Sequence, residues 1–454
     1  FNRLLIAVGL DWRSVALFRL YARYLKQLGV SYSQDFIANT LAEHHRICAD
    51  LMRFFNALFD PKNRPETDDG ARPKEIKAGL MSQLDKVENI SQDNVLRAYI
   101  ELMEATQRCN FYQRCASGEA KPYLSVKFAT EQIARAPKPR PVREIFVYSP
   151  RFEGVHLRGG KVSRGGLRWS DRLEDYRTEV LGLVKAQQVK NAVIVPTGAK
   201  GGFVAKQAII AAGRDAWLAE GTASYKLYIQ ALLDITDNYL AGEIVPPPDV
   251  VRRDGDDPYL VVAADKGTAT FSDVANQLSE QHNFWLGDAF ASGGSHGYDH
   301  KAMGITARGA WVAVRRHFRE LGIDIQNKNF SVIGIGDMGG DVFGNGMLLS
   351  EHIQLVGAFN HLHIFVDPNA DASRTYAERR RLFETAGSSW QDFDPSLLSP
   401  GARIYSRSAK MVELSAEIKQ RFAIDADHMT PNELISALLI APVDLLWNGG
   451  IGTY

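Results

Sequence analysis

The stretch Asn329-Phe-Ser-Val-Ile-Gly-Ile-Gly-Asp-Met-Gly339 decides the fold. Asn329 to Ile333 reads as a short strand, and Gly334, Gly336 and Gly339 then follow at Gly-x-Gly-x-x-Gly spacing, with a helical pattern predicted after them. Glycines at such places let a strand turn tightly and let backbone approach a ligand, because no Cβ intervenes. The pattern alone is a weak signal, and its context strengthens it. A second strand, His361 to Val366, ends on Asp367, which follows Gly339 by 28 residues. Dinucleotide folds usually place an acid about 20 residues on, so this spacing fits a longer connection. The expectation is a doubly wound α/β domain in which backbone N–H groups of the turn hold a pyrophosphate and Asp367 accepts ribose hydroxyls. A carboxylate there repels a 2′-phosphate, which favours NAD over NADP. The competing reading is a doubly wound domain that binds no nucleotide. Beyond Arg379 the pattern is helical until Pro442-Val-Asp-Leu-Leu-Trp-Asn-Gly-Gly450, a further strand reaching a glycine turn.

Upstream, Arg164 to Phe203 carries the cations. It begins Arg164-Gly-Gly-Leu-Arg168 and ends Pro196-Thr-Gly-Ala-Lys-Gly-Gly-Phe203. Between them Tyr176, Val180, Leu183 and Val184 recur at helical steps, and the same side turns polar at Gln187 and Lys190. Ala192 to Val195 reads as a short buried strand, so Lys190 and Lys200 are expected to face one cleft. Two neighbouring ammonium groups disfavour each other's charge, which would make one of them a usable acid or base. Glycines beside a lysine are also common in plain surface turns, and a P-loop fits poorly because no Ser or Thr follows Lys200. Further on, Tyr259 to Ala264 is a buried strand ending on Asp265, a position suited to a catalytic carboxylate or to simple helix capping.

At 454 residues two or three domains are expected, and 53 basic against 53 acidic residues give no electrostatic case for nucleic acid or membrane surfaces. No apolar run is long enough to span a bilayer. The three cysteines, Cys48, Cys109 and Cys115, lack metal-ligand spacing, so no metal is expected and a reducing, cytoplasmic setting is. Residues 1 to 120 carry helical patterns over Trp12–Leu28, Gln34–Phe59 and Lys74–Cys109, and strand patterns begin at Tyr123. His44 and His45 are adjacent on a helix and read as structural.

Arg164 to Arg168, Gln187, Lys190, Pro196 to Gly202, Asp265 and the later glycine motif together resemble the glutamate dehydrogenase superfamily, and within it the long-chain NAD-specific enzymes of bacteria. The resemblance covers most of residues 120 to 454. It implies a helical region (1–120), a substrate-binding α/β domain (121–302) and a Rossmann-like NAD domain (303–454). It also implies that Lys200 is the catalytic lysine, Asp265 the proton-shuttling acid, and Lys190 a ligand of a substrate carboxylate. Arg164 stands where short-chain relatives carry a second lysine. Gly165, Gly166, Arg168 and Gln187 would line the substrate site, and Gly334, Gly336, Asp337, Met338, Gly339, Asp367 and Asn448 the cofactor site. The implied reaction is reversible oxidative deamination of glutamate to 2-oxoglutarate and ammonia, in a homo-oligomer. Departures are the fork-shaped Arg164, a shorter interval before Lys200, and Met303 near an expected threonine. Chain ends at Phe1 and Tyr454 suggest a piece of a longer polypeptide, expected to be inactive or weakly active by itself. The rival readings are a dehydrogenase for another amino acid, a non-catalytic NAD-binding regulatory module, and a lysine Schiff-base enzyme.

Overall fold

The computed structural model describes residues 1–63, 71–188, 197–207, 213–265, 267–268, 270–297 and 299–450. The chain divides into two compact units, Phe1–Gly297 and Tyr298–Tyr454.

The first unit begins with α1 (Trp12–Gln27), α2 (Gln34–Glu43), α3 (His45–Phe59), α4 (Ala71–Leu84) and α5 (Ile90–Ala105). Side-chain caps set their starts: Asp11 accepts from the Ser14 N–H, Ser33 from Phe36, and Asn89 from both Ser91 and Gln92. Two stretches expected as single helices are each split. His44 takes a non-helical backbone (φ −93°, ψ 50°) between α2 and α3, and the Asn89 cap restarts the chain at α5. Thr106–Cys109, expected at a helix end, is instead an edge strand, because buried Arg108 is drawn to Asp237 and Asp254.

That strand, β1 (Thr106–Cys109), joins β2 (Leu124–Phe128), β3 (Arg143–Tyr148), β4 (Phe152–Arg158), β5 (Ser163–Trp169), β6 (Thr197–Ala205), β7 (Val261–Ala264) and β8 (Ala291–Ser292). They form one eight-stranded sheet in the order β1-β2-β3-β4-β6-β5-β7-β8. Pairing is antiparallel as far as β4 with β6 and parallel from β6 through β5 and β7 to β8. Side chains alternate across a strand. Val155, Leu157 and Val204 enter one core with helices α1 to α5 and α6 (Tyr176–Gln188). Leu167 and Phe203 enter another with α7 (Arg214–Leu233) and α8 (Ser272–Gln281). The helical segment is thus one cover of this sheet and shares its compact unit.

The second unit carries α9 (Ile305–Glu320), β9 (Phe330–Ile335), α10 (Asp341–Gly346), β10 (Ile353–Phe359), β11 (His363–Val366), α11 (Ala372–Glu384), β12 (Arg403–Ser406), α12 (Pro431–Leu439) and β13 (Leu445–Asn448). Its sheet runs β12-β11-β10-β9-β13. β10 and β13 flank β9 and are parallel to it, so the order reverses at β9, the place where open α/β sheets bind ligands. β11 and β12 are antiparallel additions. The strand expected to be the second parallel one, ending on Asp367, is therefore the antiparallel β11, and β10 takes the parallel place.

Candidate active site

In β6, Gly198, Lys200 and Gly202 share one face by strand alternation. An ideal Cβ would stand 2.4 Å from Gln187 Oε1 at Gly198 and 2.8 Å from Val180 Cγ2 at Gly202. Helix α6 therefore lies close against this face, and the glycines allow it while leaving the lysine between them. Lys200 Nζ meets Asp265 Oδ2 at 3.1 Å, with side chains 19% and 17% exposed. Asp265 projects from the end of β7 in a tight turn. The Thr268 hydroxyl accepts the Asp265 N–H at 3.0 Å and donates to the Leu167 carbonyl at 2.7 Å.

Arg168, two positions past Gly166 on the same face of β5, donates to Asp265 Oδ1 at 3.3 Å and to Glu179 Oε1 of α6 at 2.8 Å. The Ser170 hydroxyl holds the other Glu179 oxygen at 2.6 Å. Burial works against the Arg168 charge, but its hydrogen bond to Glu179 and the Asp265 charge outweigh it and raise its pKa. The result is a chain of alternating charge, Glu179 to Arg168 to Asp265 to Lys200, fixed from four elements. Arg168, expected to bind substrate, is engaged here by two carboxylates, Glu179 and Asp265. Gly165 and Gly166 supply room: a Cβ on Gly165 would lie 1.5 Å from the Ala199 carbonyl oxygen, and one on Gly166 2.9 Å from Asp265 Cβ. Arg164 is exposed on β5 and forms no ion pair with a described residue. Gln187 packs against Gly198 with its Oε1 buried and without a hydrogen-bond partner among the described residues. Lys190 lies outside the described residues, and the partner the structure gives Lys200 is a carboxylate. Sequence reasoning missed Glu179, Ser170 and Thr268; the spacing Asp265-x-x-Thr268 is the one signal that pointed to a side-chain-locked turn.

In the second unit the glycine motif turns at the carboxyl edge of β9. Gly336 has φ +142°, and its N–H donates to the Phe359 carbonyl at 2.8 Å. A Cβ at Gly334 or Gly336 would come within 2.4 Å or 2.7 Å of the Phe343 ring, so both must be glycine for α10 to close on the strand. Met338 is buried in the core beneath the turn. Asn448 pairs with Ile335 at the end of β13, and the Gly449 N–H donates to the Ile335 carbonyl at 2.7 Å. Gly336, Asp337, Gly339 and Asn448 thus gather at one sheet edge. Asp367 does not join them. It ends an antiparallel strand, its N–H bonds to the Val356 carbonyl at 3.0 Å, and it is fully buried with the Ser399 hydroxyl and N–H on Oδ1. Burial raises its pKa, the Ser399 hydrogen bonds opposing. Asp367, expected to accept the ribose hydroxyls, thus stands buried and apart from the glycine turn.

Residues 79–454 match the family described as bacterial NAD-glutamate dehydrogenase, catalytic domain, and residues 1–61 that described as glutamate dehydrogenase, helical motif 3. Proteins named NAD-specific glutamate dehydrogenase from Halomonas elongata, Pseudomonas aeruginosa and Mycobacterium tuberculosis are 60%, 59% and 56% identical over the whole chain. The chain spans 28%, 28% and 29% of their respective lengths.

Proposed function

The chain belongs to the bacterial NAD-glutamate dehydrogenases, as their catalytic domain, and from that premise we propose that it carries the chemistry of reversible oxidative deamination of L-glutamate to 2-oxoglutarate and ammonia. The observation that carries the proposal is the Lys200–Asp265 pair closely flanked by Gly166, Gly198 and Gly202. A glycine turn closed by Phe343 and edged by Asn448 fits a dinucleotide, whose pyrophosphate needs close backbone approach. When bound, NAD supplies the acceptor for the hydride that leaves Cα. Asp265 takes and returns the protons of the substrate nitrogen. Lys200 handles the proton of the water that adds to the imine carbon and, as a cation, stabilises the developing carbinolamine oxygen. Arg168 keeps the Asp265 carboxylate oriented while Asp265 works. Arg164 is free to meet a substrate carboxylate, Lys190 is assigned the other, and two cations suit a dicarboxylate. Gln187 brings an acceptor to the groove wall.

The domain reading is a substrate unit holding Lys200 and a cofactor unit holding Gly336. Assembly as a homo-oligomer in the cytoplasm completes the proposal; three unpaired cysteines accord with a reducing setting. Lys200→Ala in the full-length protein should lower kcat for glutamate-dependent NADH formation by orders of magnitude while NAD affinity, measured by fluorescence titration, stays within about twofold. Undiminished turnover would sink the assignment.

A further inference from the structure

The residue at the end of the second parallel strand of a dinucleotide fold is usually an acid that hydrogen-bonds the ribose. Here β10 ends on Phe359 and is followed by Asn360. Asn360 is almost wholly buried, and its Oδ1 accepts the N–H groups of Leu362 and His363, both at 2.8 Å. Backbone N–H groups can only donate, so the facing atom is the oxygen and the amide cannot be turned round. The Asn360 Nδ2 must therefore point the other way, where it donates to Asp337 Oδ2 at 2.7 Å. Asp337 comes from the glycine turn itself, directly after Gly336.

The carboxylate missing from the strand end is thus supplied from the turn and aimed by an asparagine standing at that strand end. One oxygen is held by Asn360, while Oδ1 has no hydrogen-bond partner among the described residues and Asp337 is only half-buried. No cation among the described residues pairs with Asp337. Arg407, whose guanidinium reaches Asn360, is engaged elsewhere: one nitrogen donates to the Asn360 carbonyl at 3.0 Å and another to Asn432 Oδ1 at 3.5 Å. An unneutralised carboxylate with an open acceptor is suited to a vicinal diol and repels a phosphate monoester.

We propose that Asp337, oriented by Asn360, receives the adenosine ribose hydroxyls of the dinucleotide and excludes a 2′-phosphate, which makes it the determinant of cofactor choice in this chain. The inference rests on the NAD reading above and assigns to Asp337 the role that the fold pattern suggests for Asp367. With the carboxylate removed, the repulsion disappears.

The test is equilibrium binding rather than turnover. NAD, 2′-deoxy-NAD and NADP are titrated against the full-length protein and against Asp337→Asn, which keeps the shape, and Asp337→Ser, which keeps a small polar group. The parent should bind NAD about tenfold or more tighter than either analogue, the scale of one charge-assisted hydrogen bond. In both variants the 2′-deoxy discrimination should vanish and NADP should bind about tenfold or more tighter than it does to the parent. Circular dichroism confirms that each variant is folded, and either variant alone suffices. Retained NAD-over-NADP preference in a folded Asp337 variant overturns this inference and leaves the cofactor reading standing. Failure of the parent to bind any of the three overturns the cofactor reading and the inference with it.

Discussion

Replacing Gly166 by alanine tests whether the site depends on where Asp265 stands. An ideal Cβ on Gly166 lies 2.9 Å from the Ala264 carbonyl oxygen, 2.9 Å from Asp265 Cβ and 3.3 Å from Asp265 Oδ2. The two closest atoms are a backbone carbonyl oxygen and a Cβ, so no flexible side-chain tip can swing away to make room. Carbon atoms pack at roughly 3.5–4.0 Å, so Asp265 has to retreat by about half an ångström or more. The Lys200–Asp265 contact starts at 3.1 Å and the Arg168–Asp265 contact at 3.3 Å, so a shift of that size takes both toward or past the limit of a useful hydrogen bond. A displacement of about 1 Å at a reacting group costs on the order of 100-fold, and half of it about tenfold, or about 1.4 kcal/mol of barrier. Overpacking should also cost about 1–3 kcal/mol of stability. Steady-state NADH formation by the full-length protein, with a parallel thermal melt, separates the two effects. Gly182→Ala is the control: it sits on the same helix α6 but is exposed, and its Cβ would meet nothing within 4 Å. That change should leave kcat intact and stabilise by up to about 1 kcal/mol. If Gly166→Ala keeps parental kcat in a folded protein, the Asp265 position is not what the reaction depends on.

Two further outcomes follow from buried ionisable groups. His156 is fully buried, neither ring nitrogen has a partner among the described residues, and burial first, then the Arg158 charge, lowers its pKa from 6.5 to about 3. A base held neutral by folding takes up its proton only on unfolding, so its stability contribution is full above pH 6.5 and is lost progressively as pH falls toward 3. At roughly 1.4 kcal/mol per pH unit, the loss by pH 4 is on the order of 3 kcal/mol. His156→Leu should flatten the decline in urea stability between pH 7 and pH 4; a slope equal to the parent's would mean that His156 does not titrate on unfolding. Asp367→Asn should change NAD affinity by less than about twofold, because the carboxyl is buried behind Ser399 at a place the glycine turn does not reach; a tenfold loss would restore its ribose role.

The parts of the site legible in the sequence are those whose neighbours are close along the chain. Glycines around Lys200 and after Arg164 announce close approach, and an acid at a strand end announces Asp265. What the approach is to could not be read. Gly198 and Gly202 make room for α6, and Gly166 makes room for Asp265, which lies 99 residues away. Glu179 was invisible as a partner of Arg168 because it lies on the polar flank of an amphipathic helix, where most carboxylates are solvated. The two-ammonium argument turns on Lys190, which lies outside the described residues; apolar periodicity says which side of α6 is buried, but which charges meet there depends on strand order, and the residue after β7 brings a carboxylate beside Lys200.

Hydrophobic patterning does not encode strand direction. His363–Val366 has the composition of a buried strand, and a short apolar run looks the same whichever way it runs. Direction comes from the connection: only Asn360 to Leu362 separate β10 from β11, far fewer than the dozen or so residues a parallel crossover needs, so the pair must be a hairpin. Asn360 makes that turn, accepting two N–H groups within three residues. The same side chain that reverses the chain, and so carries Asp367 away from the edge, turns its amide toward Asp337. A strand-end aspartate could accept the two turn N–H groups as well, but its other oxygen would face Asp337 with like charge, whereas the asparagine offers a donor. The turn chemistry that defeats the spacing argument for Asp367 therefore also explains why the carboxylate at this edge comes from the glycine loop.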